Sequence, residues 1–287
     1  MYKHVLVPAT GFDTDHAVFQ TALLAAKPFG AHIEFLHARL DVTEMVVAMS
    51  AGGVGGGGAI QSVVDKLETD AAGQEQKAWA NFTQFCTASG LPTGGGAPGA
   101  GLCADMVVET GNEGSWVAEY GPFADLVVVG RKREGEDVAL DVLEAALMDT
   151  GKPLLIAPEV PPAALLDTVV IAWKDTPEAA RAVGAAMPLI DHAGKVVIMT
   201  VGEGADDDES GARLQRALRW HNPATSVQVL ARDGRAPVEI LLDGAKAAGA
   251  TLLVMGGYSH SRLREVVFGG FTQRVLNGAD LPVLMAH

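Results

Sequence analysis

The sequence is short of cysteine, of aromatics, of positive charge and of long apolar runs, and each shortage closes off a class of function. Two of the 287 residues are cysteines, Cys86 and Cys103. Two thiols cannot build a disulfide framework or the four-ligand site of a structural zinc, so both read as reduced. No His, Cys, Asp and Glu cluster at metal-ligand spacing elsewhere, and no metal site is expected. Lys plus Arg number 21 against 35 Asp plus Glu, a net charge of −14. A surface that negative repels phosphate backbones and anionic headgroups, so neither nucleic acid nor a membrane is an expected partner. Any phosphate ligand must be held by a local device against the global field. No apolar run approaches the roughly 18–20 residues that cross a bilayer. Met1 to Val7 runs straight into a strand-like stretch with no signal-peptide pattern, and the expected location is cytoplasmic.

The familiar catalytic strings are also missing. There is no G-x-x-x-x-G-K-[ST] loop, no G-x-S-x-G elbow and no H-E-x-x-H pair. No catalytic residue is therefore assigned.

What is present is a repeat. Composition is that of a globular protein, 48% hydrophobic and 20% charged, and the length suggests about two domains. His4-Val5-Leu6-Val7-Pro8 is matched by Thr168-Val169-Val170-Ile171-Ala172, and Ile33 to His37 by Val196 to Val201. Met106 to Glu109 pairs with Val227 to Leu230, Ala124 to Gly130 with Ala250 to Gly256, and Lys152 to Ala157 with Leu281 to Ala286. These runs are continuously apolar rather than alternating. That marks strands buried on both faces, hence parallel sheets with helices on either side. The fold class is α/β: two tandem Rossmann-like domains, each a five-stranded parallel sheet flanked by helices. The boundary falls at the Pro-rich stretch 158–162, giving domains 1–158 and 163–287. Helices are expected over Thr14 to Phe29, Ala59 to Ala88, Gly114 to Tyr120, Pro177 to Ile190 (with Thr176 as N-cap) and Pro237 to Ala248.

The first half is longer, with 120 residues from Thr10 to Gly130 against 82 from Lys174 to Gly256. The surplus includes the run Gly52-Gly53-Val54-Gly55-Gly56-Gly57-Gly58. It contains a G-x-G-x-x-G string, as almost any poly-Gly run does, and reads as a linker. The acidic run Asp206 to Glu209 reads as a solvated turn.

In open parallel sheets ligands bind beyond the carboxyl ends of the strands, where strand order reverses. In the second half those ends are Ala172-Trp173-Lys174 and Met255-Gly256. Gly256-x-x-Ser259 is followed by nine residues and then Gly269-Gly270-Phe271-Thr272 before a helical stretch over Gln273 to Leu276. Glycines ahead of a helix let backbone amides approach a phosphate, and the helix N-terminus is a positive dipole end. The Thr272 hydroxyl adds a donor, and His260 lies in the same loop. The alternative for these glycines is a tight turn with close helix packing.

These residues resemble a tandem universal stress protein, two copies of that α/β domain in one chain. The resemblance spans nearly the whole sequence and is strongest in the second half. ATP-binding members carry Gly, two residues, Gly, nine residues, Gly, then Ser or Thr. Gly256 and Gly269 match that pattern, Ser259 replaces the second Gly, and Gly270 replaces the hydroxyl residue, with Thr272 just downstream. The family's acidic residue after the first strand aligns with Lys174, and Val201 falls where the family packs an apolar side chain near adenine. The resemblance implies a stress-response or regulatory protein that binds ATP, AMP or another adenine nucleotide, with or without Mg, without rapid turnover. It also implies an internal pseudo-dimer, in which the last strands meet as they do across the family's dimer interface, Leu154-Leu155-Ile156 beside Val283-Leu284-Met285, so that neither is left an exposed edge; a homodimer stays open. Two other readings stay open: a weak ATPase or nucleotidyl-transfer enzyme, and an interaction module with no ligand. In the first half Thr10 stands at the acidic position, and Arg131-Lys132-Arg133 follows Gly130 with no later glycine pair. That copy reads as one that has lost the nucleotide site.

Overall fold

The computed structural model describes residues 1–43, 57–94, 99, 101–131, 138–202, 209–257 and 270–287. Ten strands fall in these segments. Five belong to the first half: β1 (His4–Pro8), β2 (His32–Arg39), β3 (Cys103–Thr110), β4 (Leu126–Val129) and β5 (Leu154–Ile156). The second half supplies β6 (Thr168–Ala172), β7 (Lys195–Gly202), β8 (Thr225–Ala231), β9 (Leu252–Gly256) and β10 (Val283–Ala286).

All ten lie in one sheet, in the order β3-β2-β1-β4-β5-β10-β9-β6-β7-β8. Within each half every pairing is parallel, and order reverses between the first strand and the fourth. The halves join by the antiparallel pair β5–β10, with Val283 opposite Ile156, Leu284 opposite Leu155 and Met285 opposite Leu154. The expected five-stranded sheets are thus the two arms of one continuous sheet.

Helices cover both faces. One face carries α1 (Asp15–Ala26), the long α2 (Gly57–Ser89) and α5 (Pro177–Ile190); the other carries α3 (Glu113–Tyr120) and α7 (Pro237–Ala247). α4 (Val138–Glu144) runs into a π turn at Ala145–Asp149, and α6 (Glu209–Leu218) and α8 (Gly270–Gly278) complete the set. The sequence accounts for the start of α5 in detail. Thr176 is extended, its side chain accepts from the Ala179 amide, and Pro177 supplies a first-turn position with no amide to satisfy. The first strands are buried on both faces, as continuous apolar runs require: Val5, Leu6 and Val7 have no exposed surface, nor do Val169 and Val170.

The two apolar cores, one per face of the sheet, each run unbroken through both halves. Polar contacts stitch the same seam. The Tyr2 hydroxyl donates to the carbonyl of Ala185 at 2.6 Å, and Arg131 Nη2 donates to the carbonyl of Leu281 at 2.7 Å. Phe29 meets the His192 ring edge-on, 4.9 Å between centres.

Candidate functional site

In the second half the switch point lies between β6 and β9, where Ala172 stands opposite Met255. Met255 is buried, Ala172 and Val201 partly so, and Lys174 is exposed. The chain returns as α8, whose first residue is Gly270 rather than Gln273. Within the described residues, Gly270, Phe271 and Thr272 are the first three of that helix. Thr272 is buried in that turn. Ser259, His260 and Gly269 lie outside the described residues, as do Gly52 to Gly56 of the glycine run and Asp206 to Asp208.

Gly256 has a packing reason of its own. A Cβ there would stand 2.7 Å from the Ala179 amide nitrogen and 2.7 Å from the Glu178 carbonyl carbon. The end of β9 thus rests directly on the first turn of α5, and only a residue without a side chain permits it. Trp173, at the end of β6, is tied inside the same half: its indole N–H donates to the Ser210 hydroxyl at 3.1 Å.

The first half holds a cavity that the sequence did not point to. It has a volume of about 370 Å³ and opens at the equivalent switch point, beyond the ends of β1 and β4. Val18, Ala38, Ala71, Val129 and Val142 give it apolar walls, with Phe12 and Leu40 among its exposed lining residues. Among its polar lining side chains are Asp15, His37, Gln74 and Glu113, brought together from distant points in the chain.

Asp15 opens α1 and is almost fully buried. Its carboxylate accepts from the Thr10 amide at 3.0 Å, the Thr10 hydroxyl at 2.6 Å, the Gly11 amide at 2.8 Å and Asn81 Nδ2 at 3.1 Å. Gly11 takes φ of +79°, and a Cβ on it would strike the Gln74 backbone at 2.6 Å. Gln74 in turn donates to the Thr10 carbonyl at 2.7 Å. The β1–α1 turn is thereby locked against the long helix α2, which becomes a wall of the cavity.

His37, near the end of β2, is 3% exposed. Its Nδ1–H donates to the Ala9 carbonyl at 2.7 Å. That leaves Nε2 as the lone-pair nitrogen of the neutral ring, and it has no hydrogen-bond partner. Glu113, at the start of α3, is pushed up to about 7 by burial and by the neighbouring Asp15 carboxylate. Arg131 also touches the cavity, but its guanidinium is turned into the seam, bonded to Leu281 and near Asp280 and Glu159. It is partly buried, a tie between the halves.

A polar residue following two apolar ones near a strand end, as His37 follows Phe35 and Leu36 in β2, is a signal in the sequence that could have found this site. Among the described residues no group of His, Cys, Asp and Glu is arranged to hold a metal ion, and no helix is long and apolar enough to cross a membrane.

Residues 190–287 match the model of the Universal stress protein family. The whole chain shares its fold with a universal stress protein from Archaeoglobus fulgidus DSM 4304, at 15% identity and a TM-score of 0.70, covering 99% of this chain and 95% of that one. It is similar also to a functionally unknown protein from Pseudomonas aeruginosa PAO1, at 12% identity and a TM-score of 0.57, covering 99% and 92%. No curated protein matches the sequence.

Proposed function

We propose that this chain, which carries the universal stress protein fold twice over, is a regulatory protein that holds an adenine nucleotide in its second half. The residues assigned to it are Ala172, Lys174, Val201, Met255, Gly256, Ser259, His260 and Gly269 to Thr272, within a domain spanning 163–287. The observation that carries the reading is the start of α8 at Gly270. First-turn amides and the positive end of a helix dipole then belong to the segment that follows the switch-point strand β9. Phosphate would lie against those amides, and Val201 and Ala172 would offer apolar contact to the base. Lys174, in place of a carboxylate, would add positive charge near the phosphates. The sequence carries none of the familiar catalytic strings, and the reading is of a binder of ATP or AMP rather than an enzyme.

The test is titration of the full chain with ATP and AMP by calorimetry, beside chromatography of whatever nucleotide heat denaturation releases from the purified protein. The expected result is one nucleotide per chain, lost in Gly270→Asp, which places a negative charge at the phosphate position. Unchanged binding in Gly270→Asp would overturn the placement. Steady phosphate release from ATP would replace the binder with an ATPase.

A further inference from the structure

The two ends of the ten-stranded sheet are finished differently. β3 closes one end and carries Asp105 and Glu109. The segment before it bridges through Thr93 to Ala104, and the Gly94 amide donates to the Asp105 carboxylate at 3.0 Å. Charges and a covering segment keep an edge from pairing with another chain. β8 closes the other end as Thr225-Ser226-Val227-Gln228-Val229-Leu230-Ala231, seven residues with no charge and no proline. Among the described residues no backbone segment pairs with its outer side.

The ladder to β7 shows which groups of this edge are open. Val196 N–H donates to the Ala224 carbonyl at 3.0 Å, and Arg232 N–H to that of Gly202 at 3.2 Å. Alternate residues between these two bonds serve β7, so Ser226, Gln228 and Leu230 face inward. Thr225, Val227, Val229 and Ala231 turn their N–H and C=O groups outward. The Thr225 carbonyl is already taken, by Gln215 Nε2 at 3.0 Å and Arg219 Nε at 3.4 Å. The open window is therefore Val227 to Ala231, with Val229 at its centre. Such a window is complementary to itself. Turned about a two-fold axis through Val229, it sets Val227 opposite the partner's Ala231 and Val229 opposite the partner's Val229, each pair exchanging two hydrogen bonds.

We infer that β8 pairs antiparallel with β8 of a second copy of this chain, joining two sheets edge to edge. Charge supports that occupant. α6 packs on β7 and β8 and runs opposite to them. The two-fold therefore lays the two α6 helices side by side in opposite directions. Glu209, at the start of α6, then stands beside the arginine end of the partner's helix, where Arg216 and Arg219 are exposed. Glu209 keeps 76% of its side chain exposed even in its bond to Arg213. These opposite local charges orient two chains whose net charge of −14 otherwise repels. The turn from α6 into β8 also carries Trp220, 90% exposed, an apolar ring of the kind that anchors interfaces. The contact repeats, with a second chain, the antiparallel edge pairing by which β5 and β10 already join the two halves. It is independent of the nucleotide reading.

The experiment is analytical ultracentrifugation of the full chain, with cross-linking of cysteine variants as the readout of register. The chain should pass from monomer to dimer as its concentration rises into the micromolar range. Val229→Pro removes an amide that makes no bond within the chain, so the β7–β8 ladder survives while the dimer dissociation constant rises about tenfold. Arg216→Glu should weaken the dimer in the same direction. In Val229→Cys the two introduced thiols face each other across the axis, with Cα atoms about 5.5 Å apart and within disulfide reach. Mild oxidation should cross-link that variant and leave Val227→Cys, which sits off the axis, uncoupled to itself. A chain that stays monomeric into the millimolar range would overturn the inference and leave the edge to a strand of another protein. A dimer unchanged in Val229→Pro, or equal cross-linking of Val227→Cys and Val229→Cys, would overturn it as well. Circular dichroism establishes that Val229→Pro is folded; if it is not, the two cysteine variants decide.

Discussion

Leu155 and Leu284 stand opposite each other in the antiparallel pair that joins the two halves, both without exposed surface. Every other strand pairing in the described sheet is parallel. The contact is the centre of a pseudo-two-fold arrangement: each half presents its last strand to the other, and two edges that would attract foreign strands are consumed internally.

That junction should be energetically coupled to both halves. Leu284→Ala removes a buried side chain from a core that runs through the whole molecule, at a cost of about 2–5 kcal/mol. Urea unfolding followed by tryptophan fluorescence and by circular dichroism should give one shared transition moving to lower denaturant. Two separate transitions in the unaltered chain would mean the halves fold independently.

Asp15→Ala strands the Thr10 and Gly11 amides in a buried turn. The expected loss is about 3 kcal/mol, read as a fall of several degrees in Tm. Asp15→Asn keeps the shape and one acceptor and should lose less. Equal stability for the alanine variant would show that water replaces the carboxylate.

Glu113 gives a pH dependence of definite sign. The folded protein holds its proton up to about pH 7, whereas the unfolded chain releases it near 4.5. Its contribution is therefore neutral below about pH 4.5, grows unfavourable as pH rises from there to about 7, and levels off above that at up to about 3 kcal/mol. Asp15, His37, Arg131 and Glu159 line the same cavity and set the field it feels. Glu113→Gln should be more stable than the unaltered chain at pH 8 and indistinguishable at pH 4, with denaturant midpoints as the measure. A constant gap between the two pH values would refute the assignment.

Gly256→Ala brings a Cβ to 2.7 Å from the α5 backbone. Overpacking of that kind costs about 1–3 kcal/mol. Thermal melts should show the loss equally with and without ATP. A loss confined to the nucleotide-bound protein would assign this glycine to the ligand instead of the packing.

Much of this architecture was legible in the residues because its causes are local. Thr176 before Pro177 marks a helix start wherever it occurs, and unbroken runs such as Val169-Val170-Ile171 demand burial on both faces. The meeting of Leu155 with Leu284 is what the family resemblance implies, and it covers two apolar edges. Other features are set by tertiary contact. Asp15, His37, Gln74 and Glu113 are spread over almost a hundred residues of sequence, and no spacing rule gathers them. Gly256 reads as part of a phosphate loop, yet its contact with Glu178 and Ala179 becomes visible only when β9 and α5 are seen packed. Arg131 cannot be read as a tie between the halves from its neighbours in sequence, because its partner, the Leu281 carbonyl, lies 150 residues on.

The covalent link between the copies changes what selection can do with this sheet. In a symmetric pair assembled from one shorter chain, every substitution appears twice, so improving one pocket alters its twin identically. Here the place filled by His37 in one arm is filled by Thr200 in the other, and α2 is a 33-residue wall where α6 has 10. Each arm is encoded separately and can drift on its own, while the shared Leu155–Leu284 seam still requires both to fold.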